Sequence, residues 1–131
     1  MNDILVPIAP ADLFDRIIGL QLQLAATKDD AQRAILMGQS AVLNRLAARI
    51  MPASAEVTRL TTDLFAARQD LQHLVQDLQA CEARNEYGAS FVALSQSLLA
   101  TVTGIDHTKA AINLHYAVIN HPGATNAQHL I

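Results

Sequence analysis

The chain has 131 residues, about half of them apolar, with no tryptophan, one cysteine and a formal net charge of −3. That composition excludes a disordered chain, a disulfide framework and a cysteine-built zinc site, and it favours Ala/Leu-rich helix packing over a β-sandwich. Without a basic stripe or polybasic block, neither a nucleic-acid backbone nor an anionic membrane surface is an expected partner.

In chain order, Ile4 to Ile8 is a short apolar run containing Pro7, which reads as an edge strand or an extended arm over residues 1–10. No basic region precedes it, so it does not read as a secretory signal. A first helix is expected over 11–27, with Asp12 and Asp15 in its first turns and an apolar face of Leu13, Ile17, Leu20 and Leu24. A second helix, capped by Asp29 or Asp30, spans 29–50 and carries Ile35, Leu36, Leu43, Leu46 and Ile50. Gly38 weakens it by about 1 kcal/mol relative to Ala. Met51-Pro52-Ala53 breaks the chain, and Ser54 is an N-cap candidate.

The strongest pattern follows. Val57, Leu60, Leu64, Ala67, Leu71, Leu74, Leu78 and Cys81 step by three and four along a third helix, 55–84. Asn85 to Gly88 forms a turn, in which Gly88 is expected to supply a positive φ. In the fourth helix, 89–118, Phe91, Leu98, Ile105 and Ile112 recur every seven residues, Ile119 continues the repeat just past its end, and Gly104 marks a candidate bend. Two such ladders predict an antiparallel hairpin with a coiled-coil-like seam, Leu71 and Leu74 facing the fourth helix. His121-Pro122-Gly123 stops the helix, and 119–131 reads as a fraying tail. The stretch from Gly88 to Ile105 lacks charge but holds several Ser and Thr residues and is short for a membrane span. The expected fold is therefore all-α: one domain, 1–131, an antiparallel bundle built on a long hairpin. A bacterial, cytoplasmic setting is the default.

Chemistry-bearing residues are sparse. Cys81 lies on the apolar ladder and reads as a small buried hydrophobe before a reactive thiol. His73, His107, His115, His121 and His129 offer no i, i+3 or i, i+4 ligand pair, so no metal is expected. Asp106, Lys109 and Asn113 share a helix face that reads as solvated with one weak ion pair. Asp12, Asp15 and Arg16 read as helix-start electrostatics, and Glu82, Arg84 and Glu86 as ordinary charges around a turn. No nucleophile motif or phosphate-cradling glycine loop is present, and no cofactor is expected.

The segment Val6 to Ile17 resembles the opening V-x-[SP]-x-G-E-L-x-D-K-[IL]-T-I-L of a small bacterial domain-of-unknown-function family. Asp77, Glu82, Glu86-Tyr87-Gly88 and Phe91 fall at the spacing of that family's D-I-R-x-x-E-x-x-x-D-F-G-x-x-F. Lys109 and Ile112-Asn113 are similar to its closing L-K-x-x-I-N. The chain departs where the family carries Trp, Glu and Arg on the third helix, here Gln72, Val75 and Gln79. It departs again at Gln21-Leu22-Gln23 in place of E-I-K, and at Val102 to Ile105 in place of a polar stretch. The resemblance covers about Leu5 to Leu114 and implies a fold, with no named activity, substrate or cofactor.

Two functions compete on this reading. The first is a non-catalytic interaction or scaffold module that self-associates or binds a protein partner, because the fourth helix carries more apolar face than one hairpin covers. The second is a small helical enzyme with an anion site between helices, using Asp15, Arg16, Asp77, Lys109 and Asn113.

Overall fold

The computed structural model describes residues 7–120, and within them the chain is all-α. Helix α1 spans Pro10–Ala26, α2 Asp30–Ile50, α3 Ala55–Ala83 and α4 Ala89–Asn120. No strand occurs among the described residues. Of the expected arm, 1–10, residues 1–6 lie outside the described residues and Pro10 belongs to α1. Of the expected tail, 119–131, Ile119 and Asn120 belong to α4, and the helix stop with the rest lies outside the described residues.

Local chemistry accounts for each boundary. Pro10 opens α1, where its missing N–H costs nothing, but Ala9 offers no side-chain cap. Asp29 caps α2 by accepting from the Gln32 N–H at 2.9 Å, and Ser54 caps α3 by accepting from Val57 at 3.1 Å. The α3–α4 turn corrects the sequence expectation. No glycine of the described residues has positive φ; the left-handed residue is Asn85, at φ 55°. The Glu86 N–H reaches the Cys81 carbonyl at 2.8 Å, and the Asn85 N–H reaches Glu82 at 3.0 Å. That pattern is a Schellman closure with Asn at the position glycine usually holds, which Asn tolerates better than most residues. Gly88 instead stands just before α4, and its carbonyl accepts from the Val92 N–H at 3.1 Å. Gly104 does not interrupt α4, which runs through it as one helix.

As expected, α3 and α4 pack on each other and form a long hairpin. At 1.5 Å per residue these helices run about 43 and 48 Å, whereas α1 runs about 25 Å. One short helix cannot cover so long a hairpin. The core records that mismatch. Ala11, Leu13, Phe14, Ile17 and Ile18 of α1 pack with Ala47 and Met51, with Val57, Leu60 and Leu64 of α3, and with Ile105 and Ile112 of α4. Leu71 packs at the margin of this cluster, half-buried. Beyond it, from residue 72 to residue 104, Cys81 is the one buried residue. Helix α2 packs chiefly on α1.

Candidate functional site

The side-chain polar contacts that join distant parts of the sequence converge where α1 meets α3 and α4. An uncapped helix start presents unpaired N–H groups and a partial positive charge. The Ala11 N–H donates to Asn113 Oδ1, 2.9 Å away, so α4 supplies the cap that Ala9 cannot. One turn along α1, Arg68 of α3 grips the Asp15 carboxylate with two donors: Nε donates to Oδ1 at 2.6 Å and Nη2 donates to Oδ2. Lys109, one helical turn before Asn113, lies 2.7 Å from Asp12 and 3.7 Å from Asp15. The Asp15 and Arg68 side chains retain only 17% and 31% of their exposure, so the pair is screened less than a surface one. Hydrogen bonding to Asp12, opposed by burial, holds the Lys109 ammonium above its ordinary pKa.

The other end of α1 is closed in the same way. Arg33 of α2 donates through Nη1 to the Leu24 carbonyl and, at 3.1 Å, to that of Thr27. A cation thus meets the negative end of the helix.

Of the five residues singled out in the sequence, Asp15, Lys109 and Asn113 come together here. Arg16 is exposed and lines two open grooves beside α1, the larger about 390 Å³ and shared with Asp12, Asp15, Gly19 and Arg68. Asp77 stands apart, exposed on the uncovered half of α3. The face holding Lys109 and Asn113 is not the solvated one its spacing suggested; it meets α1. Arg68 escaped the sequence reading because it follows the ladder residue Ala67 and belongs to no local charge cluster. Its one signal was its place four residues after Leu64, beside the seam.

Chemically the cluster is two carboxylates matched by two cations. Lys109 stays protonated at neutral pH, which leaves it no lone pair for base or nucleophile work. Among the described residues, no three His, Cys, Asp or Glu side chains group as metal ligands, and no helix is long and apolar enough to cross a membrane. His115 is half-buried and His73 and His107 are exposed; Cys81 is a buried free thiol. Compared with family models, with curated proteins and with solved structures, the chain matches none.

Proposed function

We propose that this chain is a non-catalytic helical interaction module that self-associates, a divergent bacterial, cytoplasmic relative of the family its motifs resemble. The observation that carries the reading is α2. It packs chiefly on α1 and leaves Ile35, Val42 and Leu46 exposed along one flank and Met37 on the opposite flank. A helix apolar on more than one face is ordinarily covered by a further partner. Helix α4 adds Val92, Leu99 and Val102, with Leu99 at 68% exposure. The charge cluster supports a module over an enzyme with an anion site, because Arg68 and Lys109 are already matched by Asp15 and Asp12.

Sedimentation velocity across a concentration series tests the proposal. A reversible dimer is expected, with no thermal shift on adding phosphate or di- and tricarboxylates. A monomer at every concentration, stabilised by one of those anions, would replace the module with the enzyme reading.

A further inference from the structure

The seat that holds α1 does not end where α1 ends. Arg68 and Lys109 flank α1 from the two sides of the α3–α4 groove. One heptad further from α1 the same helix faces carry Val75 and Val102, at 39% and 41% exposure. A second heptad brings Glu82 and Ser95. The groove therefore continues as an apolar seat, with Leu99 beside it and an acid at its far end, and no helix of this chain fills it among the described residues.

The unfilled face of α2 has matching chemistry. Ile35, Val42 and Arg49 are seven apart, so they form one exposed stripe, with Leu46 alongside. Arg16, Arg45 and Arg49 on this side of the molecule have no ion-pair partner among the described residues, and neither do Asp70, Asp77 and Glu82 on the hairpin. Residues 16–50 contain five cations and two carboxylates, whereas residues 70–100 contain one cation and four carboxylates. Hairpin against hairpin would set like charges together; α2 against hairpin sets opposite charges together.

We infer that the unfilled half of the α3–α4 groove is the docking site for α2 of a second copy of this chain. The contact is reciprocal across a two-fold axis, so each copy lends α2 and receives it. Val42 lies against Val75 and Val102, and Arg49 lies within reach of Glu82. This identifies the surfaces of the self-association proposed above and rests on that reading.

The test is a set of exposed substitutions in the full chain, each checked for native helicity by circular dichroism, with dimer dissociation constants from sedimentation equilibrium. Val42→Asp and Val102→Asp should each weaken the dimer at least tenfold. Glu82→Arg and Arg49→Glu should each weaken it severalfold, and together they should restore most of the loss. A dimer insensitive to the Val substitutions, a loss from only one of the two faces, or a double reversal no tighter than its parents would overturn this docking while leaving self-association standing. A wild-type monomer at all concentrations would overturn both.

Discussion

Asn113 of α4 caps a helix that begins more than a hundred residues before it: its Oδ1 accepts the Ala11 N–H at 2.9 Å. Ala9, the residue at the cap position of α1, has no side-chain acceptor. The start of α1 is therefore completed only when α1 is docked, which ties local helix formation to tertiary packing. Asn113→Ala should lower stability by about 1 kcal/mol, in the range of a lost N-cap. Asn113→Asp, which keeps the acceptor, should recover most of it. Thermal and urea melts of the two variants check this, and equal melts for wild type and Asn113→Ala would contradict it.

The Asp15–Arg68 pair should show coupling well above that of an exposed ion pair. It is bidentate and partly buried, so a double-mutant cycle with Asp15→Asn and Arg68→Ala should give about 1–3 kcal/mol. Arg68→Lys should not rescue it, because an ammonium cannot match both carboxylate oxygens in one plane. A coupling near zero would mean that the pair only decorates the interface.

Alkaline conditions should loosen α1. Lys109 has a folded-state pKa raised by its hydrogen bond to Asp12. A raised pKa means the folded state holds the proton more tightly than the unfolded chain. The stabilisation is thus complete below the ordinary lysine value and is lost as pH climbs through the raised one. The melting temperature of wild type should fall more steeply above about pH 10 than that of Lys109→Met. Parallel profiles for the two proteins would remove Lys109 from the account.

At the turn, Asn85→Gly should be neutral or mildly stabilising, because glycine adopts the observed φ of 55° without a Cβ clash. Asn85→Val should cost about 1–2 kcal/mol. Gly88→Ala should be tolerated, since a Cβ there meets nothing within 4 Å and the φ is not positive. Denaturant midpoints for the three variants decide whether Asn85 or Gly88 carries the turn.

Burial ranks the ladder positions. Leu64 is fully enclosed, so Leu64→Ala should cost about 2–5 kcal/mol. Leu71, half-buried at the core margin, should cost less on the same change. A larger loss at Leu71 than at Leu64 would place the centre of the core elsewhere along the hairpin.

The four helices and the caps of α2 and α3 are legible in the sequence because their causes are local. The apolar spacing from Val57 to Cys81, an aspartate cap at Asp29 or Asp30 and the Ser54 cap act within a few residues and need no knowledge of the fold. The hairpin followed too, since two ladders joined by a four-residue turn have few other ways to bury their stripes. Tertiary structure decided the rest. Whether a charged face is solvated depends on what packs against it, so Lys109 and Asn113 read as a water-facing pair until α1 was placed across them. Arg68 had no local partner, and its carboxylate lies 53 residues earlier in the chain. Propensity alone points to Gly88 as the left-handed turn residue. The helix hydrogen bonds ending at Cys81 and Glu82 set it at Asn85, because register, not preference, determines which residue must turn.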